Sequence, residues 1–186
     1  MKIEQIIDEV YVISDNSKQL LMNNIKEVSL PKGLNILNSD KIERKVYFIK
    51  KGIVRAYTIF DGDEVTFWFG QEGNSILSMR SYIEKKASYE TIELLEDCVL
   101  YEIKMNDLIG LYETNLELAN WGRKLAENEL IETEERFISS QLGTAIQRYK
   151  KLLVENPSLI NRVQLGYIAS YLGISQVTLS RIRAEI

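Results

Sequence analysis

The sequence predicts an α+β fold: an antiparallel β-barrel first, then a long helix, then a pair of short helices at the C-terminal end. Three observations predict it. From Ile25 to about Ile103, short β-rich runs alternate with glycine turns. From Asn106 to Phe137 there is no proline, and apolar residues recur at helical spacing. From Leu165 to Ile182, two short apolar patterns flank a single glycine, Gly173.

The barrel rests on five runs: Val46–Lys50, Ile53–Phe60, Glu64–Phe69, Thr91–Leu95 and Val99–Ile103. Pro31-Lys32-Gly33, Lys51-Gly52 and Asp61-Gly62-Asp63 supply turns. An Asp-Gly pair between two β-rich runs is a hairpin signal, because glycine takes positive φ without steric cost. Strands this short and this closely spaced fit a closed or sandwiched antiparallel barrel rather than βαβ units. Ahead of the barrel, Leu20, Leu21 and Ile25 follow Ser17 at helical spacing, with Ser17 as the expected N-cap.

In the long helix, Leu111, Leu118 and Leu125 recur every seven residues, and Trp121, Ala126, Leu130 and Phe137 extend the stripe. Glu117, Arg123, Lys124, Glu127 and Glu132 lie on the opposite face. Such a helix either packs on its own barrel or forms a coiled-coil-like seam between two copies. The seam is the reading adopted, with Leu111, Leu118, Trp121 and Leu125 at the interface of a homodimer. A further helix runs from about Leu142 to Glu155, with Arg148, Lys150 and Lys151 on a basic face, and Pro157 ends it.

Composition removes several function classes. The chain has 186 residues, 45% of them hydrophobic and 27% charged, which suits an ordinary globular protein. No apolar run approaches the roughly 20 residues needed to cross a bilayer. Met1-Lys2-Ile3-Glu4 does not open a signal peptide, so a cytoplasmic protein without membrane contact is expected. There is no histidine, the commonest general base and metal ligand. Cys98 is the only cysteine, so an intrachain disulfide, a Cys-based iron–sulfur cluster and a structural zinc site drop out. No metal or cofactor is expected. No nucleophile–base pair is visible, so no enzyme is expected either. The Asp97–Tyr101 run reads as a buried strand with Cys98 as a core thiol.

The net charge of −4 is unevenly spread. From Ser140 onward, six Lys/Arg face two acids, leaving that segment at +4 and the first 139 residues at −8. An acidic front with a basic tail is the asymmetry of a chain whose C-terminal part alone meets phosphates.

Leu165 to Ile182 fits a helix-turn-helix, two short helices packed steeply around a tight turn. Ala169 is small where the helices touch, and Gly173 suits the turn. Ile168, Leu172, Leu179 and Ile182 are the apolar positions that lock the pair, and Ser175 is the expected N-cap of the second helix. That helix then presents Gln176, Thr178, Ser180 and Arg181 as a reading face. Gln can pair with adenine and Arg with guanine, while Ser and Thr serve bases or phosphates. Arg183 is read as a phosphate contact or a solvated charge. Double-stranded DNA is the implied partner.

A glycine-punctuated barrel, a long helix and this C-terminal motif, in that order, resemble the Crp/Fnr family of regulators. The resemblance is closest over Arg162–Ser175 and Thr178–Arg183, and in the barrel phrases Tyr47–Tyr57 and Ile92–Asp97. It looks like the branch common in Bacteroidetes. It implies a double-stranded β-helix (jelly-roll) barrel with a cyclic-nucleotide-binding-like role, a homodimer on a two-fold-symmetric operator, and contact with RNA polymerase. The corresponding domains are residues 1–105 (sensor barrel), 106–139 (dimerisation helix) and 140–186 (DNA binding).

The departures concern the signal. Cyclic-nucleotide-binding members pair a Gly-Glu with a later Arg-Ser or Arg-Thr that neutralises the phosphate. Here the second position falls on Ser88-Tyr89, and Gln71-Glu72 lacks the glycine. Arg80-Ser81 mimics the dipeptide upstream of it. Glu72, Arg80, Ser88 and Tyr89 are the candidate pocket residues for a small-molecule effector left unidentified. The N-terminal cysteines of oxygen sensors and the histidine of haem sensors are missing. Many relatives also add a β-hairpin wing after the second helix of the motif, which is absent before Ile186. The alternative reading is a cyclic-nucleotide-binding module whose DNA end is vestigial.

Overall fold

A computed structural model of the chain describes residues 1–185. They form two compact units: Met1–Ala56 with Phe69–Leu130, and Tyr57–Trp68 with the chain from Ile131 onward.

The first unit opens with helices α1 (Ile3–Val10) and α2 (Asp15–Met22), followed by strands β1 (Lys26–Leu30), β2 (Asn35–Leu37) and β3 (Lys45–Lys51). After β4 (Val54–Phe60) and β5 (Asp63–Gly70) come β6 (Ser75–Ile76), helix α3 (Met79–Glu84), β7 (Thr91–Leu94) and β8 (Cys98–Lys104). Helices α4 (Met105–Thr114) and α5 (Leu116–Leu142) follow. The strands make two four-stranded sheets, β1-β8-β3-β6 and β2-β7-β4-β5. Strand β8 is central in the first, pairing antiparallel with β1 (Val28 opposite Leu100) and with β3 (Phe48 opposite Tyr101).

Four successive residues of β3, Val46 to Ile49, are buried, so both faces of that strand are covered. Side chains alternate along a strand. Val46 and Phe48 therefore share a face, and they join Ile6, Ile7, Leu118 and Trp121 in one apolar cluster. Tyr47 and Ile49 lie buried on the other face. The β3–β4 turn needs Gly52, whose φ is +124° and whose added Cβ would stand 2.3 Å from the Cys98 sulfur. Cys98 is a core thiol, pushed up to about 11 chiefly by burial.

The expected Asp-Gly hairpin joins β4 to β5. Asp61 (φ +52°) and Gly62 (φ +88°) both take positive φ, the two-residue turn whose twist suits paired strands. Among the described residues, no helix is long and apolar enough to cross a membrane.

Two expectations about the helices are corrected. The N-cap of α2 is Ser14, whose hydroxyl accepts the Ser17 N–H, and Ser17 lies inside the helix. The single helix from Asn106 is broken at Asn115, whose backbone is extended (φ −136°, ψ 112°). The Asn115 side chain accepts the Leu118 N–H at 3.1 Å and so starts a new helix, satisfying a donor that a helix start leaves open. Leu111 thereby sits on α4, off the line of Leu118 and Leu125.

The second unit holds the outer part of the β4–β5 hairpin, the C-terminal stretch of α5, and α6 (Ala145–Glu155), α7 (Leu159–Arg162), α8 (Leu165–Tyr171) and α9 (Gln176–Glu185). Helix α6 starts at a capping box in which Thr144 accepts the Gln147 N–H and Gln147 accepts the Thr144 N–H. Tyr149, Leu152, Leu159, Val163, Ile168, Ala169, Leu172, Leu179 and Ile182 are buried.

Candidate nucleic-acid interface

Helices α8 and α9 meet through a turn whose backbone is fully accounted for. Gly173 N–H bonds the Ser170 carbonyl and Ile174 N–H the Ala169 carbonyl, each at 3.0 Å. This pair of bonds, with Gly173 at φ +63°, is the Schellman stop that ends a helix on a left-handed residue. A Cβ at Gly173 would meet nothing within 4 Å, so the glycine is required by its φ and not by space. Ser175 then caps α9: its hydroxyl accepts the Thr178 N–H at 3.1 Å and pairs with the Thr178 hydroxyl at 2.9 Å.

The apolar positions expected to lock the pair do so. Ile168, Ala169, Leu172, Leu179 and Ile182 are buried, and the helices pack against each other. The other face of α9 is open: Ser175, Gln176, Thr178, Ser180, Arg181 and Arg183 are all exposed. Among the described residues, Arg181 and Arg183 make no ion pair, so both guanidinium groups are available to an anion. Val177, exposed on the same face, went unnoticed in the sequence because an apolar residue there reads as core. An exposed aliphatic group beside Gln176 is what a thymine methyl contact requires.

The basic face of α6 separates into two kinds of residue. The Arg148 guanidinium donates to the carbonyls of Gly143 and Leu172, tying the end of α5 to the end of α8. Arg148 is therefore a structural clamp. Lys151 pairs with Glu155 at 3.6 Å, and Lys150 is exposed.

The expected dimer seam is corrected in two of its residues. Leu118 and Trp121 are 0% exposed within the chain itself. The Trp121 indole N–H donates to the Ile7 carbonyl at 2.9 Å, and its ring meets Phe48 edge-on at 6.0 Å. Leu111 and Leu125 are half-buried against the same cluster. The stripe's early half is core because α1 covers it. Its later half is not covered: Leu130, Ile131, Phe137, Ile138 and Leu142 are all exposed. Leu130 and Phe137 are seven residues apart, as are Ile131 and Ile138, so they share a face of α5.

The four candidate effector residues do not make a phosphate site. Glu72 accepts the Gly52 N–H at 2.9 Å and so braces the β3–β4 turn. Ser88 is buried with its hydroxyl on the Glu90 backbone, at 3.1 and 3.2 Å. Arg80, on α3, leans toward Glu84 at 4.0 Å. Tyr89 is exposed, its phenol raised by partial burial and the neighbouring Glu90, with Arg80 acting the other way. Glu90, unnoticed in the sequence, is only 6% exposed, and its Oε2 has no hydrogen-bond partner among the described residues. An acid in that position disfavours a phosphate. Among the described residues, no cluster of three or more His, Cys, Asp or Glu could hold a metal ion.

Residues 27–115 match the cyclic nucleotide-binding domain family. The fold as a whole is similar to that of several solved structures. FixK2 from Bradyrhizobium japonicum is 20% identical with a TM-score of 0.75, over 87% of this chain and 83% of that one. CLP, the c-di-GMP-responsive global regulator of Xanthomonas campestris, is 17% identical with a TM-score of 0.72, over 92% and 91%. A protein from Eubacterium rectale, assigned to the Crp/Fnr family of transcriptional regulators, is 20% identical with a TM-score of 0.73, over 91% and 82%. At such identities the likeness is one of fold. No curated protein matches the chain.

Proposed function

We propose that the chain is a sequence-specific DNA-binding transcription regulator of the Crp/Fnr type. Residues 1–105 act as a sensor barrel, 106–139, which carry α4 and most of α5, as the dimerisation segment, and 140–186 as a helix-turn-helix domain. The observation that carries the reading is α9 itself. It is held by a Schellman turn and an N-cap, with its apolar side buried and Gln176, Ser180, Arg181 and Arg183 exposed on the other. Such a helix can enter the major groove and present donors to base edges from its first turns.

Two copies pair through the later half of α5, where Leu130, Ile131, Phe137 and Ile138 are exposed. A two-fold dimer binds a two-fold-symmetric operator, with RNA polymerase as its further partner. The effector is a small molecule other than a cyclic nucleotide, since Ser88-Tyr89 offers no cation and Glu90 brings an acid. A gel shift on the protein's own upstream DNA tests the reading. A discrete complex that resists unrelated competitor DNA is the expected result. Binding that competitor removes in proportion to its mass would defeat it.

A further inference from the structure

One side chain of the helix pair does work that neither the reading face nor the packing accounts for. Ser170, on the outer side of α8, accepts the Thr66 N–H at 2.9 Å and donates to the Glu64 carbonyl at 3.0 Å. Both partners belong to β5, which ends its sheet, so its outer row of backbone groups has no neighbouring strand. A single hydroxyl thus takes the donor and the acceptor that a next strand would take. Hairpin and helix pair lie in the same compact unit, and β4 and β5 run on from it into the sheet.

We propose that Ser170 is a positioning residue: it latches the helix-turn-helix to the β4–β5 hairpin and thereby sets the spacing of the two half-sites that a dimer accepts. The inference rests on the DNA-binding reading given above. Without the latch, the helix pair is held to α5 by the chain through Gly143 and Thr144 and by the Arg148 clamp, both at the end of α5, about which it can pivot. A further tether removes that freedom. The latch does not mask the reading face, because Ser175, Gln176, Ser180, Arg181 and Arg183 stay exposed with it closed. Its effect is therefore on where α9 points and not on which bases it reads. A symmetric operator translates that direction into the distance between half-sites, normally one helical turn or a multiple of it.

The latch is also reversible by construction. Thr66 is 2% exposed, and its hydroxyl has no hydrogen-bond partner among the described residues, a cost of the same order as the two bonds Ser170 supplies. Opening the hairpin would return that hydroxyl to water.

Two variants push in opposite directions. Ser170→Ala deletes both bonds, and Thr66→Val keeps the backbone N–H while removing the unpartnered hydroxyl. Binding-site selection on libraries of fixed half-sites with a variable spacer is the assay, with amide exchange at Thr66 measured in parallel. Ser170→Ala should raise Thr66 exchange about tenfold and let spacers one or two base pairs off the optimum bind within about threefold of it. The half-site motif should not change. Thr66→Val should slow that exchange and sharpen the spacer preference. Identical spacer profiles for all three proteins, with the motif intact, would overturn the latch alone. No motif from the wild-type protein would overturn the DNA-binding reading, and the latch with it.

Discussion

Arg148 is the residue on which sequence and structure give opposite answers, and the answers can be separated by experiment. In the sequence it belongs to a basic face with Lys150 and Lys151, the pattern of a phosphate contact. In the fold its guanidinium is spent on two backbone carbonyls, those of Gly143 and Leu172, at the ends of two helices. Each is an orphan acceptor that the helix end leaves open. Hydrogen bonds to a charged donor contribute about 1.5–3 kcal/mol each. The side chain is half-exposed, so the lower figure applies, and Arg148→Ala should cost about 3 kcal/mol. For a chain of this length, melting as one transition, that is a fall in Tm of roughly 6–12 °C. Arg148→Lys should not rescue it, because one ammonium cannot span two carbonyls as a planar fork does. DNA affinity measured well below the lowered Tm should keep its dependence on salt, since no phosphate contact has been lost. The pair of assays is calorimetry and a salt titration of operator binding. An unchanged Tm with a salt slope reduced by about one unit would refute the clamp and restore the phosphate contact.

Arg181→Ala should weaken the preferred site by about 1–3 kcal/mol and relax one base position in each half-site. Parallel site selections returning identical motifs would remove Arg181 from the readers. Leu130→Glu with Phe137→Glu should give folded monomers by sedimentation, with operator binding lost. Trp121→Ala should instead destabilise the chain by about 3–5 kcal/mol, because it empties a site inside one copy. A folded monomer from the Trp121 variant would reverse that assignment. Cyclic AMP and cyclic GMP should show no low-micromolar binding by calorimetry. Micromolar binding would mean that Arg80 reaches the phosphate after all, and Arg80→Ala would then abolish it.

What was legible in the sequence divides along a physical line. Strands β3, β4, β5, β7 and β8 were readable from their β-rich runs, while β1, β2 and β6 were not. The Asp61-Gly62 hairpin, the Gly173 stop and the Ser175 cap were readable because each depends on a local backbone requirement that few residues meet. The break at Asn115 was not. Asparagine is tolerated inside helices, and what ends α4 here is a side chain turned back onto Leu118 and hydrogen-bonded to Ser17, nearly a hundred residues earlier. The α2 cap was missed by three residues for a related reason: Ser14 and Ser17 have the same chemistry, and only the fold shows that Ser17 faces Asn115 and Glu117.

The stripe on α5 shows where such reading must stop. Leu118, Trp121, Leu130 and Phe137 follow one helical periodicity, and periodicity tells which face is apolar without telling what covers it. Residues near Leu118 are covered by α1, which lies more than a hundred residues earlier in the chain. Residues near Phe137 are exposed, with no cover among the described residues. Burial thus splits a uniform stripe into a core half and an open half. The open half carries five large apolar side chains on about three turns of one helix, and exposed apolar area that contiguous is costly to leave in water. The same helix leads into the unit that holds α8 and α9. In the proposed dimer, a second copy laid along it would supply the second reading helix that a two-fold-symmetric operator requires.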